Sequence, residues 1–137
     1  MDAELKKQLV EAALQARGHA YAPYSRYAVG AALLTSDGEI YTGANVENAV
    51  YPLGLCAERV AVFKAVSEGH RDFQAIVVAT ENGGSPCGAC RQVLAEFGLD
   101  LTVFVVNTQG TTVLETSLRE LLPASFGPDD LPAKGEQ

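Results

Sequence analysis

Phe73-Gln74-Ala75-Ile76-Val77-Val78-Ala79-Thr80 is an apolar, β-branched run that reads as a buried strand. After a glycine-rich loop comes Ser85-Pro86-Cys87-Gly88-Ala89-Cys90, where Ser85 as N-cap and proline at the first helical position predict a helix. A strand running through a loop into a helix is the unit of an α/β fold. The same alternation extends in both directions.

Toward the N-terminus, residues 55–68 have helical periodicity through Val60, Phe63, Lys64 and Ser67 and stop at Gly69, which places Cys56 at a helix start. Before them, residues 27–35 and 39–45 read as two strands joined by the turn Ser36-Asp37-Gly38. Asp2 caps a first helix that carries Leu5, Leu9, Ala13 and Ala16 on one face, with Gly18 as its stop. Toward the C-terminus, residues 101–107 and 112–115 are strands around Thr108-Gln109-Gly110, and Ser117 with Glu120 forms a capping box for a short helix. The order α-β-β-α-β-α-β-β-α predicts a three-layer α-β-α sandwich around a five-stranded mixed sheet, parallel at its centre, with the early hairpin as an antiparallel edge. Residues 1–126 read as a single domain and 127–137 as a loosely packed tail.

The chain has 137 residues, 47% of them apolar and 20% charged, with a net charge of −7. That charge argues against nucleic acid, whose affinity rests on Lys and Arg neutralising phosphates. Lys6-Lys7, the one adjacent basic pair, reads as a solvated helix face. No apolar stretch of membrane-spanning length and no basic, apolar leader is present, so a cytoplasmic, membrane-free protein is expected. The expected partner is a small molecule.

The three cysteines, Cys56, Cys87 and Cys90, make a poor disulfide framework but a good zinc site. Three thiolates can hold Zn²⁺ and leave its fourth tetrahedral position for water, the arrangement of a catalytic rather than a structural centre. Helix N-termini lower thiol pKa and so favour metal binding. Glu58, two residues from Cys56, is a candidate proton carrier. Three thiolates on one dication leave excess negative charge, so a cation should accompany them. Arg59 and Arg91 follow Cys56 and Cys87 at helical spacing, and each guanidinium is expected near a ligating sulfur. His19 and His70 lack useful spacing to the cysteines and read as surface or loop residues. Two other readings stay open on these residues alone: thiol–disulfide exchange by Cys87-Gly88-Ala89-Cys90, and a zinc-stiffened binding domain needing a fourth protein ligand.

Together the motifs YSRYAVGAAL (24–33), GANVENAVYPLGLCAER (43–59), AVSEG (65–69), PCGACRQVL (86–94) and LLPASFGPDDL (121–131) resemble the zinc-dependent cytidine deaminases, in particular the short, homotetrameric class acting on free nucleosides. The resemblance implies a cytidine deaminase-like fold and hydrolytic deamination of cytidine and deoxycytidine to uridine and deoxyuridine, a pyrimidine-salvage reaction releasing ammonia. It implies zinc held by Cys56, Cys87 and Cys90, zinc-bound hydroxide as nucleophile and Glu58 as proton shuttle; the excess charge of three thiolates makes Arg59 the expected hydrogen-bond donor to a ligand sulfur. It further implies that Asn45 and Glu47 clamp the ribose, that the Ala57 N–H meets the pyrimidine carbonyl, and that Tyr27 and Val29 line the base pocket. Tyr27 departs from the family's more usual phenylalanine, and its hydroxyl must find a partner. Tyr51 and Phe126 match positions reaching a neighbouring subunit's site, which implies a homotetramer with shared sites.

Overall fold

The computed structural model of the chain describes residues 1–132. Asp2 accepts the N–H of Leu5 at 2.7 Å and starts α1 (Ala3–Arg17), which ends at Gly18 and buries Leu9, Ala13 and Ala16. The hairpin expected next is β1 (Val29–Thr35) and β2 (Ile40–Ala44), turning through Gly38 at φ +93°, a left-handed conformation that glycine adopts without steric cost. Then follow α2 (Ala57–Ser67), β3 (Phe73–Thr80), α3 (Gly88–Ala95), β4 (Thr102–Val106), β5 (Thr112–Ser117) and α4 (Leu118–Leu121). Cys56 is the residue before α2, and Gly69 just past its end has φ +97°.

The five strands form one mixed sheet in the order β2-β1-β3-β4-β5. Only β3 and β4 are neighbours that run parallel; β1 pairs antiparallel with both β2 and β3. Strands β2, β3 and β4 therefore all run one way, joined in turn by α2 and α3, with β1 inserted between β2 and β3. The parallel centre expected from the helical crossovers is thus narrowed to one pair by the hairpin. Alternation of side chains sends Ala31, Leu33, Ile76, Val78, Val103 and Val105 toward α2 and α3, and Ala32, Leu34, Val77, Phe104 and Val106 toward the α1 face. Each fully buried Leu, Ile or Val stabilises the sandwich by roughly 1.5–3 kcal/mol.

Two expected boundaries shift. Helix α3 begins at Gly88 rather than Pro86, with Cys87 as its N-cap, because Ser85 does not cap it; the Ser85 hydroxyl accepts from Arg91 Nη2 at 3.0 Å. The capping box of α4 is half made: Ser117 Oγ accepts the Glu120 N–H at 3.2 Å, while the Glu120 carboxylate accepts from the Thr116 and Ser117 hydroxyls. Of the expected tail, Pro128–Asp130 form one 3₁₀ turn, and positions 133–137 lie outside the described residues.

Glycine sets how closely α2 meets the sheet. A Cβ on Gly43 would stand 2.4 Å from the Ala57 carbonyl oxygen and 2.6 Å from the Ala61 nitrogen, so β2 touches the backbone of the first two turns of α2. Gly43→Ala must push that helix outward, and overpacking of this kind costs about 1–3 kcal/mol. Urea denaturation should show a loss in that range; stability within about 0.5 kcal/mol of the parent chain would contradict the close approach.

Candidate metal centre and active site

Helices α2 and α3 pack on the same face of the sheet, and their N-termini bring the cysteines together. Cys56 and Cys87 are the two N-cap residues, and Cys90 lies in the first turn of α3. The Cys56 and Cys87 sulfurs are 3.9 Å apart and those of Cys87 and Cys90 3.5 Å apart, with all three within 4.8 Å of one another. A tetrahedral zinc with bonds of about 2.3 Å sets its sulfurs about 3.8 Å apart, so the trio fits the ion. No fourth His, Cys, Asp or Glu ligand atom joins them among the described residues. Neither N-cap cysteine spends its side chain on capping its helix, which leaves both sulfurs aimed at the centre.

Arg59 Nη2 donates to Cys56 Sγ at 3.4 Å, as its spacing predicts. Hydrogen bonding to Cys90, reinforced by Arg59, holds the Cys56 thiol down at about 5. Cys90 moves the opposite way, because it supplies the proton bound between the two sulfurs and is itself buried. Arg91 does not approach a sulfur, contrary to its spacing. Its Nε donates to the Pro86 carbonyl at 2.8 Å and its Nη1 to the Leu121 carbonyl at 2.9 Å, so it ties the cysteine loop to α4. Pro86 and Ser85, just ahead of the helix, supply acceptors within reach of a side chain that leans toward the helix N-terminus.

Glu58, the second residue of α2, is 5% exposed, and burial pushes its carboxyl up to about 7. A carboxyl group there can exchange protons near neutral pH. Ala57, ahead of it, is the first residue of α2, so its N–H has no acceptor within the helix.

A cavity of about 450 Å³ opens beside Cys56, lined among others by Tyr24, Asn45, Glu47, Tyr51 and Arg59. Its size suits a small molecule. Asn45 is buried and fixed by backbone: Oδ1 accepts the Val29 N–H at 2.9 Å and Nδ2 donates to the Tyr27 carbonyl at 2.8 Å. One amide hydrogen and one lone pair remain for a ligand. Glu47 Oε1 accepts the N–H groups of Tyr24 and Ser25 at 3.0 Å each, and Oε2 accepts from the Ser25 hydroxyl. That hydroxyl, ahead of the backbone donors, keeps Glu47 below the usual carboxylate range. Tyr27 and Val29 are thus bound to Asn45 through their backbones. Tyr51 is 73% exposed on the cavity rim, its ring 5.7 Å from that of Tyr24. Tyr27, Val29, Ala57, Glu58 and Phe126 are not among the residues that line the cavity; Phe126 is exposed, and its carbonyl accepts from Gln92 at 2.8 Å.

Ser25 and Tyr24 were not singled out by the sequence, since neither residue type signals a site without the carboxylate that folding brings across 22 residues. His70 proves less isolated than its loop position suggests. Its Nε2 meets Glu39 Oε2 at 2.5 Å and its Nδ1 lies 3.5 Å from Asp37, tying the β1–β2 turn to the end of α2.

The trithiolate with no fourth protein ligand among the described residues, a buried carboxyl group and an adjoining cavity define a zinc-dependent hydrolase class. A redox pair would leave Cys56 without a role, although its sulfur stands as close to the others as a shared metal requires. The family model for the cytidine and deoxycytidylate deaminase zinc-binding region matches residues 3–106. The cytidine deaminase of Sporosarcina psychrophila is 48% identical over 140 residues, covering 100% of both chains. That of Halalkalibacterium halodurans is 51% identical over 129 residues, covering 92% of this chain and 97% of the relative. The crystal structure of cytidine deaminase from Burkholderia pseudomallei superposes with a TM-score of 0.84 at 50% identity, covering 92% of this chain and all (100%) of that one. The chain belongs to the zinc-dependent cytidine and deoxycytidylate deaminases. It is a hydrolytic enzyme whose metal is zinc.

Arg59→Ala removes the hydrogen bond to Cys56 and should weaken zinc binding about 10–100-fold, the usual effect of losing a partner behind a ligand. Competition with a chromophoric chelator measures it, and unchanged affinity would remove Arg59 from the metal site.

Proposed function

We propose that the chain hydrolyses cytidine and deoxycytidine to uridine and deoxyuridine, releasing ammonia, in pyrimidine salvage. The observation that carries this reading is the meeting of three sulfurs at zinc spacing with buried Glu58 and a cavity walled by Asn45 and Glu47. Cys56, Cys87 and Cys90 hold the metal. Zinc, when bound there, acidifies a coordinated water to supply a nucleophile near neutral pH. Glu58 takes a proton, delivers one to ring nitrogen 3 as carbon 4 is attacked, and passes one to the departing amino group, so that water and cytidine become uridine and ammonia.

The remaining residues position the nucleoside. Asn45 offers both a donor and an acceptor to a ribose hydroxyl, and Glu47 accepts from it, held in place by Ser25 and the backbone. A carboxylate at this point repels a 5′-phosphate and favours nucleosides over nucleotides. The Ala57 N–H meets the pyrimidine carbonyl, and Tyr27 and Val29 pack on the base.

The assembly is a homotetramer in which Tyr51 and Phe126 complete neighbouring sites. Support comes from the exposure of large apolar side chains near the cavity, with Val50 at 57%, Tyr51 at 73% and Leu53 at 67%. Residues 1–126 act as one domain. The protein works in the cytoplasm on a small substrate; among the described residues no helix is long and apolar enough to cross a membrane.

Turnover of cytidine, deoxycytidine, cytosine and cytidine monophosphate by zinc-loaded protein tests the reading, with the two nucleosides as the expected substrates. Inactivity on all four would overturn it. Glu58→Gln should keep zinc and fold yet lose about 10²–10⁴ in kcat; retained turnover would exclude Glu58 from the proton transfers.

A further inference from the structure

The hydroxyl that distinguishes Tyr27 from phenylalanine has a partner in this fold: it donates to Asn82 Oδ1 at 2.7 Å. Asn82 belongs to the loop that leaves β3 and leads to Cys87, so the bond joins residues 55 apart in sequence. Gly84 makes room for it, since a Cβ there would stand 2.5 Å from the tyrosine oxygen. The loop is also fixed from behind, where the Gly84 N–H donates to Thr80 Oγ1 at 2.7 Å.

At its other end Tyr27 is held by the residues around the ribose site. Its N–H donates to Ser25 Oγ at 3.1 Å and its carbonyl accepts from Asn45 Nδ2 at 2.8 Å. Backbone and ring tip are therefore pinned independently, one by the nucleoside-side residues and the other by the loop ahead of the metal ligands. With its single proton given to Asn82, the hydroxyl has no donor left for a ligand.

We propose that Asn82 is a positioning residue for the nucleoside: through the Tyr27 hydroxyl it sets the angle of the ring that faces the base and keeps the 81–85 loop against the same wall. This rests on the reading of Tyr27 as a base contact. Loss of the bond frees the ring without removing any group that touches the reacting atoms, so substrate binding should suffer more than chemistry.

Steady-state kinetics with cytidine on the zinc-loaded full chain test this. Asn82→Ala and Tyr27→Phe should each raise KM about five-fold, the factor carried by one neutral hydrogen bond, with a smaller change in kcat. The double variant should be no worse than either single one, because both remove the same interaction. Asn82→Asp retains the acceptor oxygen and should recover most of the loss. A KM for Asn82→Ala within about two-fold of the parent, independent additive effects, or a fall confined to kcat would overturn the proposal. Failure of the parent chain to deaminate cytidine would instead overturn the functional reading beneath it.

Discussion

Everything in this molecule's site depends on holding three sulfurs within bonding distance of one ion. Two unit negative charges about 4 Å apart near a protein surface repel by about 4 kcal/mol, so three thiolates stay together only where positive charge is supplied. The fold supplies it from two directions. Helices α2 and α3 direct their N-termini toward the sulfurs, and Arg59 places a guanidinium on Cys56. Zinc supplies the rest. The helix ends meet because both helices lie on one face of the sheet, and α2 can sit low on β2 because residue 43 is glycine.

The cavity beside Cys56 is built on a different economy of contacts. Asn45 and Glu47 line it, and at least half of the hydrogen-bonding capacity of each side chain is spent on the protein itself. Asn45 bridges Val29 to Tyr27, and Glu47 gathers the backbone of Tyr24 and Ser25. Each keeps its orientation before a substrate arrives, which reduces the ordering cost of binding. Arg91 plays the corresponding part on the metal side, fastening the segment ahead of Cys87 to α4. The Tyr27 hydroxyl links the two segments by donating to Asn82 in the loop that leads to Cys87.

Local chemistry was legible in the sequence; long-range pairing was not. The limits of β3, the Asp2 cap, the turn at Gly38 and the glycine after α2 follow from patterns within a few residues, and all appear as expected. The cysteine spacing likewise announced a cluster of three sulfurs able to hold zinc, and Cys56, Cys87 and Cys90 do come together. By contrast, the insertion of β1 between two strands of like direction depends on pairing across the whole domain, which periodicity does not encode. The start of α3 moved because Arg91 captures the Pro86 carbonyl and the Ser85 hydroxyl, a competition invisible to cap preferences. Ser25 and Asn82 escaped notice because their partners lie 22 and 55 residues away.

X-ray absorption at the zinc edge of the purified protein addresses the open trithiolate centre most directly. Three sulfur scatterers at about 2.3 Å with one nitrogen or oxygen scatterer at about 2.0 Å are the predicted shell, the light atom being solvent. Four protein ligands, or fewer than three sulfurs, would contradict it, for the metal would then be either closed to water or not held by Cys56, Cys87 and Cys90 together.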